Sequence, residues 1–314
     1  MELSVLHALK ENIAKVLVGN EETTELLLVA LLAKGHVLLE DVPGTGKTTL
    51  AKSLARSLDA DFGRIQFTPD LLPSDVTGLN YFDNHKETFV FAPGPVFCNI
   101  LLADEINRAT PKTQSSLLEC MEERQVTVDG VTRLLLEPFL VIATQNPLET
   151  LGTFPLPEAQ LDRFLMQLSM EPLDKQRELS MLTRFLRSEP LQQLTPVCDR
   201  ETLLALQDEC RQIYIHPELL DYMVNLTQAT RRHPKVASGA SPRATLALMR
   251  ASQGLATLSE RTYVVPEDIK KVAVPVLAHR LILITGASAP HAAWQVIEDI
   301  LASTAVPTED WKER

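Results

Sequence analysis

The residues of this chain whose types and spacing could do chemistry fall into a few short stretches, and the first lies between Val37 and Leu54. An apolar run, Val37 to Leu39, is followed by Pro43-Gly44-Thr45-Gly46-Lys47-Thr48-Thr49 and then by a helical pattern. Glycines at 44 and 46 let the backbone curl so that successive N–H groups point inward, which makes a nest for phosphate oxygens. Lys47 is then placed for β- and γ-phosphates, and the Thr48 hydroxyl for Mg2+. The expected nucleotide-binding set is Pro43, Gly44, Thr45, Gly46, Lys47, Thr48 and Thr49, a Walker A loop. The usual first glycine of that loop is replaced by Asp41. That glycine only opens the turn, and the phosphate-facing positions are intact.

A phosphate cradle needs an acid to hold the metal and a base to activate water. The apolar run Asn99 to Ala103 ends in Asp104-Glu105, a Walker B pattern. A buried parallel strand delivers both carboxylates at its C-terminal edge, where open α/β sheets bind ligands. Asp104 is expected to hold Mg2+ through water, and Glu105 to act as general base or to orient the attacking water. A third apolar run, Phe139 to Ala143, ends in Thr144-Gln145-Asn146-Pro147. Asn146 there reads either as an amide for the γ-phosphate or lytic water, or as an Asx turn before proline. Arg163, in Leu161-Asp162-Arg163-Phe164, suits charge stabilisation on a transferring phosphoryl group. Arg243, in Ser241-Pro242-Arg243-Ala244, begins a helix and reads either as a reach toward nucleotide between domains or as a plain surface arginine. Val18-Gly19, just before the helix that precedes the first strand, reads either as adenine cover or as a simple helix break.

These groups need a sheet to align them. Apolar residues at helical spacing predict helices over 2–17 and from Glu21 to Gly35, and short strands over Gly63 to Phe67, Asn99 to Ala103 and Phe139 to Ala143. Leu79 to Phe91 and Val126 to Leu134 read as β-hairpins, the second turning on Asp129-Gly130. As insertions in a nucleotide core they are either moving contact elements or local stiffeners. Asp174 to Leu186 is helical, and Arg187 to Asp199, with Pro190 and Pro196, reads as a linker. Beyond it Glu201 to Ile213, Pro217 to Thr230, Pro242 to Leu258, Pro266 to Ala278 and His291 to Ser303 are all helical in pattern, several opening on a first-turn proline. The expected organisation is an α/β core over 1–190 followed by a small all-helical domain over 191–314.

Composition narrows the partners. With 30 Lys plus Arg against 41 Asp plus Glu, the formal charge of the 314-residue chain is -11, the wrong sign for gripping phosphate backbones broadly. Nucleic acid is a disfavoured partner on that ground. Cys98, Cys120, Cys198 and Cys210 show no metal-site spacing and read as reduced, mostly buried thiols. The charged start of the chain does not resemble a secretory signal, and no run approaches a membrane span, so a soluble cytoplasmic protein without membrane insertion is expected.

The chain resembles the MoxR family of AAA+ ATPases. The resemblance is carried by Leu39 to Thr48, by Gln66-Phe67-Thr68-Pro69-Asp70-Leu71-Leu72-Pro73-Ser74-Asp75, by Pro93-Gly94-Pro95-Val96-Phe97 and by Leu102-Ala103-Asp104-Glu105-Ile106-Asn107-Arg108-Ala109. It continues through Met121 to Thr127, Ala143 to Pro147 and Pro155 to Phe164, in that order. Asp at position 41 is familiar in sequences of this kind. The resemblance implies a five-stranded parallel αβα sandwich with a helical lid, assembled into a ring, most often a hexamer, with ATP between neighbouring subunits. Asn146 matches the sensor 1 position, Arg163 the arginine finger and Arg243 sensor 2. The implied activity is ATP hydrolysis to ADP and phosphate with Mg2+. The implied role is a chaperone that remodels or matures client proteins, von Willebrand factor A domain proteins among them. The alternative reading is an AAA+ motor on nucleic acid, which the acidic charge disfavours, and a further one is a scaffold that binds ATP without turnover, which intact Lys47, Asp104, Glu105 and Arg163 argue against.

Overall fold

The computed structural model describes residues 3–40, 44–146, 152–186, 189–284 and 290–307. The first half alternates helices and strands: α1 (Leu3–Ala14), α2 (Glu21–Leu32), β1 (Val37–Glu40), α3 (Lys47–Ser57), β2 (Phe62–Gln66), α4 (Pro73–Thr77), β3 (Gly78–Asp83), β4 (Thr88–Pro93), β5 (Ile100–Asp104) and α5 (Pro111–Glu123). β6 (Gln125–Val128), β7 (Val131–Leu134), β8 (Leu140–Gln145), α6 (Glu158–Leu161), β9 (Met166–Leu168) and α7 (Lys175–Phe185) follow. The remainder is α8 (Arg200–Cys210), α9 (Pro217–Arg232), β10 (Val236–Ser238), α10 (Pro242–Leu258), α11 (Pro266–Leu277), β11 (Ile282–Leu283) and α12 (Pro290–Ser303).

β2, β5, β8, β1 and β9 form the expected five-stranded sheet in that order, and every pairing within it is parallel. Its central strands are apolar up to their C-terminal residues, Glu40, Asp104 and Thr144-Gln145, because both faces are covered. Alternate residues point to opposite faces. Leu39, Ile100, Leu102, Leu140 and Ile142 join a core with α2, α3 and the later helices, while Leu38, Leu101, Ala103, Val141 and Ala143 join a second core with Leu117, Leu118 and Met121 of α5. Such strands carry no polar stripe, so they read as short apolar runs rather than as alternation.

Both expected hairpins are present, β3 pairing β4 and β6 pairing β7, each antiparallel. Asp129 and Gly130 both have positive φ, 50° and 76°, the two-residue turn that an Asp-Gly pair favours. The hairpins touch: Asn80 Nδ2 donates to Asp129 Oδ2 at 2.7 Å, and the Arg133 guanidinium lies 3.9 Å from the Phe91 ring centroid.

The later helices begin as their prolines direct, with Pro217, Pro242 and Pro266 at the first turns of α9, α10 and α11. Asp174 and Asp199 cap α7 and α8 by accepting from the Arg177 and Thr202 amides, each at 2.8 Å. The short antiparallel ribbon of β10 and β11 is an addition that the helical periodicity did not show. Within the expected linker, Val197 and Cys198 donate their amides to Ser57 O at 2.9 and 3.2 Å, and Asn12 Nδ2 reaches Thr195 O at 3.0 Å. This part of the segment is fastened to α1 and α3. All four cysteines are free and buried, and burial pushes the Cys98 and Cys120 thiols up to about 12. Among the described residues no helix is long and apolar enough to cross a membrane.

Candidate functional site

The sheet register decides which side chains meet. Gln66 pairs with Asp104 across β2 and β5, Ala103 with Ala143 across β5 and β8, and Leu39 with Thr144 across β1 and β8. The C-terminal ends of four strands therefore finish at one level, beside the start of α3. A cleft of about 410 Å³ opens there, lined by Gly44, Gly46, Lys47, Thr48, Arg64, Gln66, Asp104, Glu105, Thr144, Gln145 and Asn146. Gly44 and Gly46 have φ of +91° and +96°, a backbone that only glycine adopts without strain. Among the described residues nothing lies within 4 Å of where a Cβ at 44 would stand, so Gly44 faces open space there.

Thr144 organises the acidic pair. Its hydroxyl donates to Asp104 Oδ1 at 2.9 Å and accepts the Glu105 amide at 2.9 Å. Glu105 itself sits in the left-handed region, φ 56° and ψ 50°, which turns its side chain out of the strand direction. Its carboxylate accepts from Gln66 Nε2 at 2.8 Å and pairs with Arg108 Nε at 3.0 Å. Arg64 lies on the other oxygen of Asp104, with Nη2 at 2.8 Å from Oδ2. Glu40, at the end of β1, accepts from Gln145 Nε2 at 3.0 Å and from Gln167. Burial raises its pKa, and the Gln145 bond opposes that shift.

A second cleft, of about 350 Å³, lies where α5, the segment before β9 and the later helices meet. It is dense in cations: Lys34, Arg124, Arg163, Arg211, Arg243, Arg250 and Arg280 line it together with Glu122 and Asp162. Arg163 Nη1 lies 3.0 Å from Glu122 Oε2, and Arg243 Nη2 lies 2.6 Å from Glu122 Oε1. One carboxylate thus holds both arginines. Arg163 also donates to Leu118 O at 3.0 Å.

The structure brings Gly44, Gly46, Lys47, Thr48, Asp104, Glu105 and Asn146 together in the first cleft, and Arg163 with Arg243 in the second. Thr49 lies in the first turn of α3 and Thr45 in the loop before it, and neither lines the cleft. Pro43 lies outside the described residues. Val18 and Gly19 do not line it either; Gly19, with φ +74°, backs onto Leu173 and Arg177. Their neighbour Leu17 is the residue beside the loop, since a Cβ on Gly46 would lie 3.4 Å from Leu17 Cδ1 and 3.9 Å from Met170 Cε. Sequence reasoning assigned no role to Thr144, Arg64, Gln66, Glu122 or Arg280. Thr144 is within reach, since it follows an apolar strand immediately before Gln145-Asn146; Glu122 lies in a stretch that carries the family resemblance but has no spacing that marks a role, and Arg280 carries no local signal.

Comparison with known proteins agrees with this geometry. Residues 36–166 match the ATPase family associated with various cellular activities (AAA), and residues 228–302 match the AAA lid domain. The chain is 49% identical over 305 residues to the uncharacterized protein YeaC of Bacillus subtilis (strain 168), covering 95% of this chain and 94% of that one. It is 42% identical to Chaperone MoxR1 of Mycobacterium tuberculosis (strain ATCC 25618 / H37Rv), across 94% of this chain and 80% of that one. It is 36% identical to Protein MoxR of Methylorubrum extorquens, covering 87% and 86%. A crystal structure from Cytophaga hutchinsonii ATCC 33406 superposes with a TM-score of 0.90 at 40% identity, over 98% of this chain and 96% of that one. With the parallel sheet, the acidic pair aligned at its edge and the later helices matching a lid domain, the chain belongs to the MoxR family of AAA+ ATPases.

Proposed function

We propose that the protein hydrolyses ATP to ADP and phosphate in sites shared between neighbouring copies of a ring, most simply a hexamer, and uses that cycle as a cytoplasmic chaperone on protein clients. The observation that carries this reading is the division of the machinery. The P-loop cleft has the cradle and both carboxylates, while the two arginines suited to phosphoryl charge sit together in another cleft. A site so divided is completed when a second copy presents its arginines to the first copy's P-loop. Both Arg163 and Arg243 then serve the neighbour, and the core (1–190) and lid (191–314) close on a subunit interface.

The donor set suits the ligand. Backbone amides of the glycine loop and Lys47 bind phosphate oxygens, and the Thr48 hydroxyl and Asp104 carboxylate are the hard oxygen donors that Mg2+ takes. Bound ATP would supply the γ-phosphoryl group and ADP as its leaving group, and Mg2+ would offset charge on the phosphate oxygens. Glu105 takes the proton from the attacking water, Asn146 orients that water, and the neighbour's Arg163 offsets charge as the phosphoryl group transfers. Thr144 holds the two acids in register. Asp104 would be free to hold Mg2+ through Oδ2 only once Arg64 releases that oxygen.

Protein clients are favoured over nucleic acid by the charge of -11 and by the chaperone name carried by one relative. Exposed Tyr81, Phe82 and Phe89 on the first hairpin, and the exposed Leu179, Leu182 and Phe185 of α7, offer apolar surface for clients or neighbours. A client bearing a von Willebrand factor A domain fits this reading. The test is phosphate release and nucleotide binding by wild type, Lys47→Ala and Glu105→Gln. Lys47→Ala should bind ATP weakly. Glu105→Gln should bind ATP yet turn over roughly 100-fold more slowly or worse, the usual worth of a general base. Equal turnover by wild type and Glu105→Gln would end the assignment.

A further inference from the structure

We propose that Arg280 is the positioning residue for Arg163, so that the helical lid sets the aim of the finger rather than the contents of its own P-loop. The inference rests on the reading that Arg163 serves a neighbouring copy. Arg280 follows α11 in a single 3-10 turn, Ala278–Arg280, and its side chain is 3% exposed. A guanidinium has five N–H donors in a fixed fork, and here all five are used. Nε donates to Asp162 Oδ1 at 2.7 Å. Nη2 donates to Phe164 O at 2.6 Å and to Asp162 O at 3.3 Å. Nη1 donates to Leu165 O at 3.2 Å and to Val276 O in its own helix.

Four of the five acceptors belong to residues 162, 164 and 165, which flank Arg163 on both sides. Between them the Arg163 side chain points away from Arg280, to Leu118 O and Glu122, while Phe164 and Leu165 bury their side chains in the two cores. The other oxygen of Asp162 accepts the Ser241 hydroxyl at 3.1 Å. Ser241 also caps α10 by accepting the Ala244 amide at 3.3 Å, and Arg243 stands in the first turn of that helix. Two lid elements therefore grip one carboxylate beside the finger. A buried charge with every donor satisfied resists sliding, because each displaced bond leaves a polar group without water to replace it. A shift of the lid must carry residues 162–165 with it.

Arg280→Lys tests the idea, because lysine keeps the charge but has neither the fork nor the five donors. The expected result is a fall in kcat of tenfold or more with KM within twofold and with unchanged ATP affinity at the P-loop. Mixed with Lys47→Ala subunits the variant should regain activity, and mixed with Arg163→Ala subunits it should regain none. A purely structural role for Arg280 would not sort it with the finger variant. Hydrogen exchange of amides 161–166 gives a readout that needs no neighbour: exchange there should quicken in Arg280→Lys relative to wild type. Asp162→Asn, which keeps the shape of the acceptor, carries the same readouts if Arg280→Lys does not fold. Wild-type kcat, or a loss of ATP affinity, overturns the proposal. If Arg163→Ala and Lys47→Ala subunits fail to complement each other, the neighbour reading is what has failed. Exchange with kcat then decides the positioning role: quickened exchange and lowered kcat support it, and unchanged exchange overturns it.

Discussion

The two clefts are held in shape by different means. In the P-loop cleft the backbone does most of the positioning: parallel register brings the ends of β1, β2, β5 and β8 level, and two glycines and one left-handed glutamate set the directions of the groups. In the arginine cleft the positioning is done by side chains from α5, the segment before β9, α10 and the turn after α11, joined through Glu122 and Asp162. A register cannot change by a fraction of a residue, so the strand ends that frame the first cleft are fixed relative to one another. Hydrogen-bonded ions can exchange partners, so the second can hand its arginines from Glu122 to another anion.

That contrast is most severely tested at Arg163. Arg163→Ala should lower turnover by roughly 100-fold or more while leaving ATP binding intact, and mixing it with Lys47→Ala subunits should restore part of the activity. A fully active monomer would break the division between the clefts. Thr144→Val probes the P-loop cleft. It removes a hydroxyl that serves both Asp104 and the Glu105 amide, and leaving such partners unmet costs ~1–3 kcal/mol. Turnover should drop about tenfold with ATP affinity little changed, and Thr144→Ser should recover it. Turnover at the wild-type rate in Thr144→Val would mean that the sheet alone holds the acids.

The third test is on the joint between the clefts. His36 Nδ1 accepts the Val141 amide of β8 at 2.9 Å, and its Nε2 lies 3.0 Å from Met121 O, next to Glu122. Burial, reinforced by Arg124, lowers its pKa from 6.5 to about 3. The unfolded chain therefore binds a proton between those values that the folded chain does not. Stability is full above pH 6.5 and is lost progressively as pH falls toward 3, by up to a few kcal/mol from this residue. Buried His279, also lowered by burial and by Arg280, acts with the same sign. Urea midpoints at pH 7 and pH 5 should differ, and His36→Gln should narrow that difference. An equal gap in His36→Gln would remove His36 from the account.

What the sequence made legible follows the same contrast. The groups of the first cleft sit within a few residues of apolar runs, so Lys47, Asp104, Glu105 and Asn146 are found from pattern alone, and strand ends were displaced by only a residue or two. The second cleft is assembled from positions 122, 162, 163, 243 and 280, which no local pattern connects. Arg243 was recognisable as the start of a helix, but its pairing with Arg163 through Glu122 depends on how α10 packs. The β10–β11 ribbon escaped notice because a two- or three-residue strand has no period to detect.

Glu105 has a consequence of another kind. A side chain with φ 56° sits where an L-residue loses roughly 1–2 kcal/mol and glycine loses nothing. Were folding the only requirement, glycine or asparagine would be the easier tenant of this position. The chain carries a glutamate there, as it does at Glu87 and Glu260, whose φ values of 50° and 59° are also positive. What that conformation does give is direction: it turns the carboxylate toward Gln66 and Arg108 at the sheet edge instead of continuing the line of β5.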